Sequence, residues 1–486
     1  MKFQAITCGE TLPVKNPHAI SVSMPTLQDV IDYEEQTPEI AQCIKSAYPR
    51  FVRHPYIMQL SAYLLEKYEL GKDFELVVLS SRRAAEDVSA CLQLTYTCHF
   101  DEPFGVVAVR QNTSDLKDVM KYIQLTGNIL SSRAAQDYLF EVGVLKTRFA
   151  EDVIVDQAEE KVRMALAKAY RQPLENVAIA PSGMNAVYAA VTGLRRIQEK
   201  QGRDIFVQLG WLYSDSMSVV DKYSTQAAKF LDVTKLDELE IFLQESGSRV
   251  SGILTEVPSN PLLKCVDLPR LRSLCAVHHI PLLIDTTIAT PYLFDFSPYA
   301  DIMIESMSKF ASGNADVLMG AVIINANFAT DENRASIFLD VEPVYRGDAQ
   351  RMAFAIQPYE QRVRKVSANT KALIGTLETR PYIKQVFSHH FDGAYVGLIS
   401  VTFHGDYETI YNTLNLPKGP SLGTEFTLAM PYTYLAHYDL IQSEEGRALL
   451  AQIDLPTELL RVSVGIEPIE DIIAEFDRIG ETVING

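Results

Sequence analysis

The chain has 486 residues, 47% of them hydrophobic and 22% charged, with a formal net charge of −18. This composition belongs to a globular protein of two or three domains, or one large domain with a smaller one attached, and excludes a disordered chain. The acidity argues against nucleic acid or an anionic membrane as the main partner.

The opening stretch, "MKFQAITCGETLPVK", lacks the apolar core of a secretory signal. No run approaches the ~20 apolar residues of a membrane span. Cys8, Cys43, Cys91, Cys98, Cys265 and Cys275 form no CxxC pair and no zinc-ligand spacing, so no metal is expected. Several lie in apolar runs and read as buried free thiols. Together these features predict a soluble cytoplasmic protein in a reducing compartment.

Residues 1–130 mix helical segments, "PYIMQLSAYLLEKYEL" and "SDLKDVMKYIQL", with strand-like "ELVVLSS" and "FGVVAV"; they read as an N-terminal α/β extension or arm. Residues 131–345 are different. "NVAIA" precedes a helix in which Met184, Val187, Tyr188, Val191 and Leu194 share one face. Short apolar runs follow, among them "DIFVQLG", "VSGILTEV", "IPLLIDTT", "ADIMIES" and "VLMGAVIIN", with helices between several of them. That alternation predicts an α/β unit with a mostly parallel sheet covered on both faces. Residues 346–486 begin with a long helical pattern, continue through strand-like "YVGLISVTF" and "LLRVSVGI", and end in a helix; they read as a smaller α+β domain.

Ligands of open parallel sheets bind beyond the carboxyl ends of the strands. The polar residues found there are Ser182-Gly183-Met184, Tyr213, Glu256 with Ser259 and Asn260, Asp285, and Ser306, Ser308 and Lys309. A lysine can form a Schiff base with a carbonyl cofactor. Asp285, directly after "PLLI", needs a cationic partner if buried, and a protonated pyridine would supply one. Hydroxyls and a Ser-Gly-Met turn at a helix start offer donors to a phosphate, and a tyrosine can stack on an aromatic ring. Together these are the binding requirements of pyridoxal 5'-phosphate (PLP). Each feature also has a plainer reading: Ser182 as an N-cap, Asp285 as a turn cap, Tyr213 as core, Lys309 as a surface residue.

The stretch from "VPSNPLLK" through "PLLIDTT" to "ESMSKFASGNADVLMGAVI" resembles the Cys/Met-metabolism PLP-dependent enzymes, the cystathionine γ-synthase family. "PSGMNAVYA" is similar to that family's phosphate-binding turn and "LLRVSVGIEPIEDIIAEF" to its substrate-carboxylate signature. "KGPSLGTEFTLAMPYTYLAHY" and "PHAISVSMPTLQDVIDYEE" resemble the longer, fungal-type cystathionine γ-synthases within it.

The resemblance implies PLP fold-type I, the aspartate-aminotransferase-like architecture, and a homodimer or homotetramer with shared active sites. It also implies roles. Lys309 would hold PLP and move protons, Asp285 would pair with the pyridinium, and Tyr213 would stack on the ring. Ser182, Gly183, Met184, Ser306 and Ser308 would surround the phosphate, with Asn260 among the cofactor contacts. Arg461, helped by Ser421, would bind the substrate α-carboxylate; its plainer reading is a surface salt bridge.

Many members carry a Tyr-x-Arg near the start of this domain that reaches the neighbouring subunit's phosphate. Here "SSR" and "KTR" stand in that region, so Arg133 is the expected phosphate ligand and Arg148 the alternative. Glu305 occupies a position where the family often has histidine.

The implied activity is γ-replacement on an O-acylhomoserine, with L-cysteine as nucleophile and cystathionine as product, in methionine or transsulfuration metabolism. Alternatives are a γ- or β-lyase of sulfur amino acids, and replacement by sulfide or an amine. A different class is a PLP-fold binding protein without catalysis, against which Lys309, Asp285 and Arg461 argue. A nucleotide-dependent enzyme is disfavoured, because no GxGxxG follows a strand and no GxxxxGK[ST] occurs.

Overall fold

The structure is a computed structural model that describes residues 3–46, 48–49, 51–94, 102–111 and 113–485, and not the side chains of residues 482–485. In chain order the strands are β1 (Thr11–Leu12), β2 (Ser21–Val22), β3 (Phe74–Leu79), β4 (Gly105–Arg110), β5 (Val177–Ala180), β6 (Ile205–Leu209), β7 (Gln226–Phe230), β8 (Val250–Glu256), β9 (Leu282–Asp285), β10 (Ile302–Ser306) and β11 (Gly320–Ile324). They continue with β12 (Ile383–Phe387), β13 (His390–Phe391), β14 (Ala394–Tyr395), β15 (Leu398–Phe403), β16 (Leu428–Pro431) and β17 (Leu460–Ser463).

The central sheet has seven strands in the order β5-β11-β10-β9-β8-β6-β7. Only β11 runs against its neighbours; β10, β9, β8, β6 and β7 pair in parallel. Its strands are apolar on both faces because helices cover both. Met303 packs with Ile284, Leu282 and Ile323 on one side, while Ile302 and Ile304 pack with Val187, Val191 and Leu194 of helix Gly183–Glu199 on the other. This is the α/β unit expected from the alternating runs. Its parallel strands all end on one edge, which carries the polar residues singled out above.

A four-stranded antiparallel sheet, β12-β15-β17-β16, follows in the C-terminal part. The residues before 130 have no single core. Ile57, Leu60, Leu76, Val106 and Leu139 form one cluster around the β3–β4 pair, and Val77, Val107, Val119 and Ile123 form another on its opposite face. In contrast, Val22, Met24, Leu27, Val30, Ile40 and Ile44 pack into the C-terminal unit with Leu373, Tyr411, Leu460 and Phe476. The first segment of the chain is therefore bound to the last domain.

Of the five described cysteines only Cys275 is buried, and Cys43 and Cys91 are exposed, a departure from the expectation of several buried thiols. Cys98 lies outside the described residues. Among the described residues no helix is long and apolar enough to cross a membrane, and no cluster of His, Cys, Asp and Glu could hold a metal ion.

Candidate active site

A cleft of about 880 Å³ opens at the carboxyl edge of the central sheet, over the junction with the small antiparallel sheet. Lys309, Asp285, Gly183, Met184, Tyr213, Asn260, Ser306, Ser421 and Arg461 all line it. These residues lie far apart in sequence, and the parallel topology brings them to one edge.

Lys309 sits in the tight turns that follow β10. Its N–H donates to Ser306 O at 3.2 Å, and Gly313 N–H donates back to Lys309 O at 2.9 Å. Its Nζ donates to Ser421 Oγ at 3.0 Å. Ser421 has φ +91°, a left-handed conformation unusual outside glycine. That backbone sends the Ser421 hydroxyl to Lys309 and its carbonyl to Arg461 Nη2, 2.8 Å away. Two residues on, a Cβ at Gly423 would stand 2.5 Å from Phe310 N and 2.7 Å from Lys309 C. Only glycine lets this loop lie directly on the lysine's backbone.

Asp285 ends β9 and pairs in register with Glu256, the last residue of β8. The two carboxylates thus stand side by side. Burial raises both above the ordinary carboxyl range, and for Glu256 the charge of Asp285 adds to it. Asp285 accepts a hydrogen bond from Thr287 N at 2.9 Å, and Glu256 accepts one from Tyr213 N at 2.5 Å. Among the described residues neither has a cationic side chain within ion-pair distance. A positive ring nitrogen beside Asp285 would relieve that excess of buried negative charge, so the pair fits a bound pyridinium.

Helix Gly183–Glu199 points its N-terminus at the same edge. Ser182 is its N-cap, the plainer of its two readings: its Oγ accepts from Asn185 N and donates to Gly127 O, both at 3.1 Å. The N–H groups of Gly183 and Met184 have no acceptor among the described residues. A Cβ on Gly183 would meet Ser306 Oγ at 2.8 Å, so only glycine leaves this concavity open. Free helix N–H groups beside a hydroxyl suit a phosphate. Ser308 is turned away: its Oγ donates to Met319 O at 3.3 Å and accepts from Met319 N at 3.0 Å.

Arg461, on β17, is 5% exposed. Its Nη1 donates to Asn260 Oδ1 at 3.3 Å, and its carbon centre lies 5.3 Å from the Tyr432 ring. Among the described residues no carboxylate is within ion-pair distance, and burial pulls the guanidinium down to about 10. The surface salt-bridge reading does not hold here. Such a group suits an incoming carboxylate, which it can bind through two N–H groups.

Arg133 does not reach this cleft. Its Nε and Nη2 donate to the Glu151 carboxylate at 2.5 and 2.7 Å, and its Nη1 to Asp348 at 3.0 Å and Asp316 O at 2.9 Å. A guanidinium held by two carboxylates and a carbonyl is not available to a phosphate. Arg148 is half-exposed on a stretch with exposed Phe140, Val144 and Phe149, and it pairs with Asp137 at 2.8 Å.

One wall comes from an unexpected source. Tyr48 and Phe51 line the cleft from the N-terminal segment, and the Tyr48 ring centroid is 4.7 Å from Lys309 Nζ. The signal was present in the sequence as its one Tyr-x-Arg tripeptide, Tyr48-Pro49-Arg50, although Arg50 lies outside the described residues.

Residues 157–479 match the family model described as Cys/Met metabolism PLP-dependent enzyme. The chain is 38% identical over 482 residues to L-2-amino-4-chloropent-4-enoate dechlorinase/desaturase of Streptantibioticus cattleyicolor, covering 95% of each chain. It is 31% identical over 326 residues to a cystathionine gamma-synthase of Neurospora crassa, covering 63% of this chain and 51% of that one. Among solved structures, a cystathionine gamma synthase from Xanthomonas oryzae pv. oryzae in complex with cystathionine superposes with a TM-score of 0.59 at 22% identity, covering 68% of this chain and 87% of the other. That likeness is one of fold, the fold-type I arrangement.

Proposed function

Since this chain belongs to the Cys/Met metabolism PLP-dependent enzyme family, with PLP as its cofactor, we propose that it acts at the γ-carbon of an L-amino acid and expels a γ-substituent. The observation that carries this reading is the pairing, on one cleft, of a lysine amine and a buried guanidinium with no carboxylate partner among the described residues.

When bound, PLP supplies a carbonyl for the amino group and an electron-withdrawing ring. Lys309 would carry it, with Asp285 at the ring nitrogen, Tyr213 against the ring, and Gly183, Met184 and Ser306 around the phosphate. Ser182 and Ser308 support the phosphate site from behind by fixing the helix start and the lysine turn. Arg461 takes the substrate α-carboxylate, with Asn260 and Ser421 holding the guanidinium in place. That orients the α-hydrogen toward Lys309 Nζ, the base that removes it. Once it has handed that proton back to the bound substrate–cofactor adduct, the same amine would take a β-hydrogen, and the γ-substituent would leave with its bonding electrons. Arg148, on the exposed apolar stretch, is the better-placed arginine to reach a neighbouring subunit in a dimer or tetramer.

Two fates of the second half-reaction have support. The relatives named cystathionine γ-synthase favour addition of L-cysteine after loss of an acyl group from an O-acylhomoserine, giving cystathionine. The 38% identical relative, whose named substrate bears chlorine on the γ-carbon, favours elimination without an added nucleophile. The same purified enzyme would be given O-acetyl-L-homoserine with and without L-cysteine, and L-2-amino-4-chloropent-4-enoate. Cystathionine establishes replacement; released chloride without a thiol adduct establishes elimination. Loss of neither group, with PLP bound, would sink the proposal.

A further inference from the structure

The wall formed by Ile40, Ile44, Tyr48 and Phe51 has no part in the reading above. It is a fixed part of this chain, and its attachment is specific. Thr26 caps helix Leu27–Glu35 in a reciprocal capping box, and Leu27 N donates to Asn412 Oδ1 at 2.8 Å. Tyr411 Oη donates to Met24 O at 2.9 Å, and buried Lys418 donates to Pro25 O at 2.5 Å. Ile40 and Ile44 belong to the C-terminal core and also line the cleft. The segment is therefore anchored on the far side and presents Ile40, Ile44, Tyr48 and Phe51 to the cavity. The Tyr48 ring centroid lies 4.7 Å from Lys309 Nζ, which also donates to Ser421 Oγ at 3.0 Å. The face of an aromatic ring attracts an ammonium and is indifferent to a neutral amine.

We propose that this wall receives the substrate side chain and selects an apolar one, and that the Tyr48 ring holds the Lys309 ammonium formed when that amine takes the α-proton. The proposal rests on Lys309 being the PLP lysine and base. In the step, neutral Lys309 Nζ takes the Cα proton as its third, and bound PLP would accept the electron pair left on Cα. Tyr48 is a positioning residue acting through Lys309, and its ring rather than its hydroxyl does this.

The test is α-hydrogen exchange of L-norvaline in D2O, followed by proton NMR, with L-glutamine as the polar comparison. Holoenzyme of wild type, Tyr48→Phe and Tyr48→Leu would be used. Borohydride fixation of the visible absorption onto Lys309 reports that each variant is folded and loaded. Tyr48→Phe should stay within about threefold of wild type, and Tyr48→Leu should fall roughly tenfold, with cofactor on Lys309 in both. L-norvaline should exchange at least about tenfold faster than L-glutamine. Wild-type exchange in loaded Tyr48→Leu overturns the role of the ring, and equal loss in both variants transfers it to the hydroxyl and overturns it too. Exchange of L-glutamine as fast as L-norvaline overturns the apolar selection. Absence of cofactor on wild-type Lys309 is a separate failure, that of the underlying function.

Discussion

Arg461 and Arg133 are buried to the same degree, each 5% exposed, yet they are neutralised differently. Arg133 is enclosed by Glu151, Asp348 and a backbone carbonyl. Arg461 touches an amide, a carbonyl, a thioether and an aromatic face, and its charge goes unmatched among the described residues.

The carboxylates repeat the contrast. Asp285 faces the cleft beside a second acid, whereas Glu305, on the neighbouring strand, accepts from Tyr170 Oη at 2.6 Å and Tyr359 Oη at 2.7 Å. Burial depth is the same kind of fact in both cases. What separates a ligand site from a structural network is whether the protein itself completes the pairing.

Four substitutions probe that comparison. Asp285→Asn should have the largest effect, removing the charge that faces the ring nitrogen. The expected loss is about 3–5 kcal/mol, or roughly 10²–10⁴ in kcat. A kcat near wild type in the loaded variant would remove Asp285 from the cofactor site.

Arg133→Met leaves Glu151 and Asp348 buried without their cation, so denaturant unfolding should show a loss of about 3–5 kcal/mol. The folded fraction should keep its KM, and a raised KM would bring Arg133 back into the site.

Arg461→Met is the mirror case. KM for the amino acid should rise on the order of 100-fold, from the loss of charge-assisted hydrogen bonds. Stability should hold or increase, because a desolvated and unmatched cation is gone; a drop of several °C in Tm would show that its present partners matter more than its ligand.

The last effect concerns pH. Burial, with a contribution from Asp285, pushes Glu305 up to about 7 from its ordinary 4.5. A proton on it completes a chain in which the single Tyr170 hydroxyl proton is otherwise claimed by both Glu305 and Thr286, each 2.6 Å away. Between pH 4.5 and 7 the native state then holds a proton that the unfolded chain has released, so stability falls as pH rises through that window. The fall amounts to roughly 3 kcal/mol in all. Glu305→Gln should flatten this slope in denaturant titrations at several pH values, and an unchanged slope would place the titration elsewhere.

How far the site could be read in advance varied with the residue. Lys309, Asp285, Ser306 and Gly183 stand directly after apolar runs, and a parallel sheet sends every such position to one edge, so their convergence followed from local pattern. The α/β alternation was legible for the same reason: a buried strand and an amphipathic helix each declare themselves within about ten residues. Ser182, Ser308 and Arg133 carry the right chemical groups near the right strand ends, but sequence does not say which way a side chain turns.

The amino-acid sequence by itself determined the order of elements, the edge on which the polar groups gather, and the chemistry those groups can perform. Tertiary structure alone decided which buried charges are already paired, as with Glu305 and Arg133, and that a segment around Tyr48 closes the cleft against Lys309. Both depend on contacts between residues tens to hundreds of positions apart, as between Arg133 and Asp348 or Met24 and Tyr411. A periodic pattern encodes which face is apolar, and holds no information about which distant group will meet it there.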